Sequence, residues 1–169
     1  MPRAIELLLV SRGVSCIAEL LEEQAPLTTA AVWTGLITPR EGPAWHARMA
    51  GCEVYSPGPS FVEIEPPLEN ATVLPLPGDI LYFHRRLTAA DRIDPRFADS
   101  DLPRGIANVA IWYGPPHAGN LLRVETGIRA GSRFARIRSI DLPQWAAACE
   151  SILYDGNTEE RIRLRRHEA

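Results

Sequence analysis

The chain has 169 residues, 46% of them apolar and 23% charged, with a net charge of −3. That length suits a single domain, residues 1–169, and the acidic balance excludes a broad basic surface for nucleic acid. No stretch approaches the ~20 consecutive apolar residues of a membrane-spanning helix, and "MPRAIELLLVSRG" is too short and too charged for a signal peptide, so a cytoplasmic protein without membrane partners is expected.

Taken in order, "IELLLV" and "VSCIAEL" are strand-length runs split by Ser11-Arg12-Gly13, the pattern of a tight hairpin. In the second run Val14, Cys16, Ala18 and Leu20 share one face. Pro26 suits the first turn of a short helix within "EEQAPLTTAAVWTGLI", which "TPREGP" ends. "AWHARM" and "CEVYS" read as strands around Ala50-Gly51, and the proline-broken "SPGPSFVEIEPPLEN" reads mostly as loop. "NATVLPLPGDILYFH" predicts a strand to Leu74, a type II turn at Pro77-Gly78 and a second strand through Phe83. Asp79 is expected to accept backbone hydrogen bonds at that turn.

Residues 85–104 form a polar, Asp- and Arg-rich connection long enough to suggest a functional loop. "NVAIWYG" is a near-continuous apolar strand, followed by strands in "NLLRVETG" and "SRFARIRSI". In the last of these Phe134, Arg136 and Arg138 alternate with Ala135, Ile137 and Ser139. "DLPQWAAACESIL" is a second helix, with Asp141 as N-cap and Trp145, Cys149 and Ile152 along one stripe. "RIRLRRHEA" ends the chain as a solvated edge strand with a basic tail, a surface that could also meet a partner subunit. The tally is about eight strands and two helices, hence a mainly β protein. Cys16, Cys52 and Cys149 are too few and too scattered for a disulfide framework or a thiolate metal site.

Strand alternation selects the candidate site residues. His46 and Arg48 lie two apart and project together, flanked by the small Ala44 and Ala50. Glu53 and Tyr55 form a second such pair, Tyr82 and His84 a third, and Asn108, Ala110 and Trp112 share a face opposite Val109, Ile111 and Tyr113. An imidazole, a permanent cation, a carboxylate and phenols are parts for binding a small anionic or amide compound. In that reading Arg48 grips a carboxylate or polarises a carbonyl while His46 or Glu53 moves a proton, and Tyr55, Tyr82, His84 and Trp112 bind substrate. The plain alternative is a wet strand face with an Arg48–Glu53 surface ion pair of little worth. His46, His84 and Glu53 lack HxH or HExxH spacing, so neither metal nor cofactor is expected, and His117 in "GPPHAGN" reads as a loop residue.

The element order and several motifs carry a resemblance. "CIAELLEEQAPLTTAAVW" is similar to the opening of cyclophilins, with Ala25, Pro26 and Thr28 matching the start of their first helix. "ENATVLPLPGDILYF", "NVAIWYG" and "AWHARMAGCEVY" resemble a bacterial family of small cyclophilin-like proteins known as a domain of unknown function. The likeness runs from Ile5 to about Ile152. It implies a closed β-barrel of about eight strands with two helices, with Trp45, Ala47 and Met49 turned into the barrel. It does not bring prolyl isomerase machinery: "WHAR" stands where those enzymes have Phe-His-Arg, and their glutamine-containing and aromatic motifs are absent. The expected function is a small-molecule isomerase or hydrolase, with a remnant prolyl isomerase or a non-catalytic, homo-oligomeric binding module as the alternatives.

Overall fold

In the computed structural model, the described residues are 2–47, 51–58, 65–85, 106–114, 123–124, 127–128, 130–155 and 159–168. Arg48, His117 and the 86–104 part of the long connection lie outside them. The elements are β1 (Ala4–Leu9), β2 (Val14–Leu20), α1 (Pro26–Gly35), β3 (Arg40–Pro43), β4 (Trp45–His46), β5 (Glu53–Gly58), β6 (Ala71–Thr72), β7 (Asp79–Arg85), β8 (Ile106–Trp112), β9 (Arg123–Val124), β10 (Gly127–Ile128), β11 (Gly131–Ile137), α2 (Leu142–Asp155) and β12 (Arg161–His167). The protein is mainly β with two helices, as composition and patterning predict.

Ten strands form one antiparallel sheet in the order β3-β12-β1-β2-β11-β7-β8-β5-β4, with β6 beside β11, while β9 and β10 pair separately. The β1–β2 hairpin turns where the sequence places it, and Gly13 has φ +63° there. At the other predicted turn the Asp79 N–H donates to the Leu76 carbonyl at 2.9 Å and Gly78 has φ +86°, the geometry of a type II turn. The strand before that turn, however, does not pair with the one after it. β6 is only Ala71–Thr72 and bonds to β11, because Pro75 and Pro77 offer no N–H to a ladder along 73–78. The C-terminal strand is also not an edge. β12 lies between β1 and β3, buries Ile162 and Leu164, and pairs its outward Arg161 and Arg163 with Glu41 and its Arg165 with Glu6.

Residues 40–46 shape the sheet. β3 bonds to β12 at one end of the ladder and β4 bonds to β5 at the other, with only the fully buried Ala44 between them. The sheet must therefore curl until its ends adjoin. The expected closed barrel is nevertheless not formed: among the described residues no strand pairing joins β3 to β5. Prolines at 43 and 57 remove N–H donors from the adjoining strands, and Gly42 and Ser56 meet so closely that a Cβ on residue 42 would lie 2.6 Å from the Ser56 Oγ.

One core fills the concave side. It joins Ile5, Leu7, Leu9, Val54, Ile80, Val109, Ile111 and Phe134 to Val32 and Leu36 of α1 and to Trp145, Cys149 and Ile152 of α2. Asp141, expected to cap α2, instead accepts the Ile17 N–H on β2 at 2.9 Å. The N-terminus of α1 is held from far along the chain: the Glu69 carboxylate accepts the Thr28 N–H at 2.7 Å, the Thr28 hydroxyl at 2.8 Å and the Leu27 N–H at 3.2 Å.

β11 departs from strict alternation. Its register shifts between Arg133 and Ala135, so Phe134 and Ala135 are both buried, while Arg133 and Arg136, three residues apart, face the same side. Both reach Asp79, which is fully buried. Arg136 donates to Oδ1 at 2.7 and 3.0 Å, the Arg133 guanidinium lies 3.6 Å from Oδ2, and the Leu76 N–H donates to Oδ2 at 2.9 Å. The expected turn acceptor is thus also an ion-pair centre. Replacing Asp79 with alanine should cost about 3 kcal/mol in urea unfolding, with asparagine costing less because it keeps an acceptor for the turn.

Candidate functional site

Strand register distributes the sequence-predicted residues over both faces of the β7-β8-β5-β4 quarter of the sheet. His46 pairs with Val54, which pairs with Ile111, and that row lies on the core face. Tyr82 is on the same face, and His84 follows it by alternation. Trp45 pairs with Tyr55, Tyr55 with Ala110 and Glu53 with Trp112, and this set lies on the opposite face. The candidates therefore separate into His46, Tyr82 and His84 on one side and Glu53, Tyr55 and Trp112 on the other. The orientation expected for the short strand is also reversed. His46, not Trp45 and Ala47, is turned toward the main core, and Ala47 packs with Leu81, Ala110 and Trp112.

On the core face, His46 Nε2 and the Tyr113 hydroxyl share a 2.6 Å hydrogen bond, and their rings meet edge to face. Tyr113 also hydrogen-bonds Cys52, whose Sγ lies where a Cβ on Gly114 would intrude at 2.5 Å. Burial pushes both the Cys52 thiol and the Tyr113 phenol up, the Tyr113 hydrogen bond partly opposing this for Cys52. A thiol so placed stays protonated at neutral pH and is a poor nucleophile. Farther along the same face the Tyr82 hydroxyl donates to Glu65 Oε2 at 2.7 Å, and His84 Nε2 lies 3.8 Å from the other Glu65 oxygen. Tyr113 and Glu65 were missed as partners, the first because "NVAIWYG" reads as plain core and the second because "EIEPPLEN" carries no period.

The opposite face is a small aromatic platform. Ala110 is its centre, with Tyr55 and Leu81 to either side, Trp112 and Asn108 along β8, and Glu53 and Phe83 at diagonal corners. Such cross-strand neighbours stand about 5 Å apart, so the small Ala110 side chain sits lower than the ring of larger ones around it. Trp45 meets Tyr55 edge to face at 5.8 Å. Leu81, Ala110 and Trp112 are fully buried, and Glu53 and Asn108 are only 4% and 5% exposed.

Glu53 is the chemically unusual member. Burial pushes its carboxyl up to about 8, and among the described residues no donor or cation pulls the other way. The Trp112 indole N–H is buried with no hydrogen-bond partner among the described residues. Two polar groups on adjacent strands are thus taken from water and left for something else to satisfy. No cluster of three or more His, Cys, Asp or Glu suited to a metal occurs among the described residues.

A mainly antiparallel sheet curled around one core, with an acid set among aromatics on its other face, defines a class of small β-rich domain in which fold does not by itself dictate chemistry. The chain belongs to the family described as "Protein of unknown function (DUF3830)", which matches residues 7–164. In structure it is similar to McbB in complex with tryptophan, with a TM-score of 0.63, 21% identity, and coverage of 98% of this chain and 45% of that one. It is also similar to the solution structure of the hypothetical protein AF2241 from Archaeoglobus fulgidus, with a TM-score of 0.51, 21% identity and coverage of 98% and 95%. These likenesses describe the fold alone, and the chain spans less than half the length of McbB. No curated protein matches the chain. No helix among the described residues is long and apolar enough to cross a membrane.

The raised carboxyl of Glu53 makes a stability statement. In the unfolded chain it titrates near 4.5 and in the folded protein near 8, so between those values the folded state holds the extra proton and stability falls as pH rises. The E53Q variant should lack this slope. Wild type should lose about 4 kcal/mol relative to E53Q between pH 5 and pH 9, read by urea unfolding at each pH.

Proposed function

We propose that this protein is a small-molecule enzyme, an isomerase or hydrolase of an amide or carboxylate compound, whose acid–base group is Glu53. The observation that carries the proposal is a carboxyl only 4% exposed, raised to about 8, standing beside the unpartnered indole N–H of Trp112. A proton-transfer group works best when its pKa lies near the working pH, and burial supplies that here. A carboxyl that titrates so near neutral pH exchanges its proton readily, so Glu53 can give a proton to the bound compound or take one from it. Trp112 would hydrogen-bond a substrate oxygen, and Tyr55, Phe83 and Trp45 would wall the ring of an apolar substituent.

That McbB binds tryptophan supports small-molecule binding by a fold of this kind. A cyclophilin-like relationship belongs to the same proposal, supported by the order of strands and helices and by the curled sheet. His46 takes no direct part in this reading, since its row lies on the core face.

Acid–base chemistry at carbon exchanges protons with solvent, and amide hydrolysis releases free amine. Incubating the protein in D2O with a panel of N-acyl amino acids, cyclic imides and amino acids, followed by mass spectrometry, tests both. Deuterium incorporation or hydrolysis that falls at least 100-fold in E53Q, with unchanged circular dichroism, is the expected result. Turnover equal in E53Q and wild type would remove Glu53 from the chemistry.

A further inference from the structure

We infer that the ligand of the Glu53 face carries a protonated amine, which seats on the Glu53 carboxylate within the aromatic wall formed by Tyr55, Phe83, Trp112 and Trp45. The inference rests on the reading of this face as a small-molecule site and adds the class of group that Glu53 receives.

A carboxylate taken out of water needs a cation or several donors. Among the described residues the groups facing Glu53 supply neither. Just past β4 its neighbour is Ala47, whose N–H donates to the Glu53 carbonyl at 2.9 Å; on β5 it is Tyr55, and on β8 Trp112 and Ala110. Among the described residues the charged groups of the same face lie across β8 from Glu53, on β7 and β11, and are committed to each other: Asp79 is held by Arg136 and Arg133, and Arg133 also donates to the Asn70 side chain at 3.1 Å. Aromatic rings, by contrast, attract a cation through their faces. Once ionised, Glu53 at the edge of this aromatic platform is compensated by an ammonium but not by a neutral hydroxyl, and it would repel a second carboxylate. Any amide or carboxylate of the substrate then falls toward the Trp112 N–H and the buried Asn108 amide.

The proton balance is definite. Free protein at pH 7 holds Glu53 as the acid. An arriving ammonium keeps its own protons, Glu53 ionises, and one proton passes to solvent, so ligand binding converts Glu53 from an acid into a base. The platform is thus armed by its substrate.

Isothermal titration calorimetry at pH 7 with phenethylamine, 2-phenylethanol and 3-phenylpropionate, repeated in phosphate and in Tris, reads this directly. Phenethylamine should bind at least tenfold more tightly than either isostere and release close to one proton per molecule. In E53Q, checked for folding by circular dichroism, the amine should lose at least tenfold in affinity and release none, while 2-phenylethanol binding should not change. Alcohol or carboxylate binding better than amine, with the difference lost in E53Q, would overturn the amine and leave the site standing. Failure of all three probes at millimolar concentration, or a Glu53 carboxyl that titrates below pH 5 by carbon-13 NMR in the free protein, would overturn both.

Discussion

The stretch from Arg40 to His46 constrains everything else. Its first half belongs to one end of a ten-stranded ladder and its second half to the other, and a single buried alanine separates them. An open, gently twisted sheet cannot satisfy both pairings, so the sheet wraps and its concave side becomes the core. Ala44 is fully buried at that hinge, and its N–H is satisfied by the Glu160 carbonyl at 2.8 Å. Glu160 is itself buried, and its side chain takes the Ser11 N–H at 2.9 Å and the Arg12 guanidinium. Those bonds outweigh burial and hold the carboxyl below the usual range. The same few residues thus anchor the β1–β2 turn, the start of β12 and the bend that curls the sheet.

Once the bend is fixed, the faces of β4 and β5 follow. The direct pairs Trp45–Tyr55 and His46–Val54 leave no freedom. Two residues one position out of phase, His46 and Glu53, come from the same short motif and end on opposite sides of the sheet. Each then meets a different environment: a hydrogen-bonded relay with Tyr113 and Cys52 on the core side, and a water-poor aromatic surface on the other. Glu53 is chemically distinctive because burial raises its carboxyl and no neighbour among the described residues answers its charge.

Much of this was legible in the sequence. Hairpin β1–β2, both helices, the type II turn at Pro77-Gly78 and the two faces of β8 follow from local rules that act over a few residues. The stripe of Trp145, Cys149 and Ile152 on α2 does too. What escaped depends on contacts between distant segments. Nothing local makes β6 choose β11 over β7, puts β12 between two neighbours, or lets Glu69 cap a helix some forty residues earlier. The candidate site was legible as a list of residue types but not as a place, because alternation says which residues share a face and not which face is covered. Alternation itself failed in β11, where an extra residue shifts the phase.

That extra residue has a consequence for how the family can vary. With Phe134 as the extra residue, two guanidiniums three positions apart still converge on one buried carboxylate, and the strand gives the core one more side chain than regular pleating would. Deleting Phe134 would restore regular pleating and leave Arg133 and Arg136 two positions apart on the Asp79 side, so the loss would fall on the core, which would give up a fully buried phenylalanine. Loops of this protein can lengthen or shrink at small cost, but removing this residue would empty a buried site, so homologues should keep a large apolar side chain at the bulge.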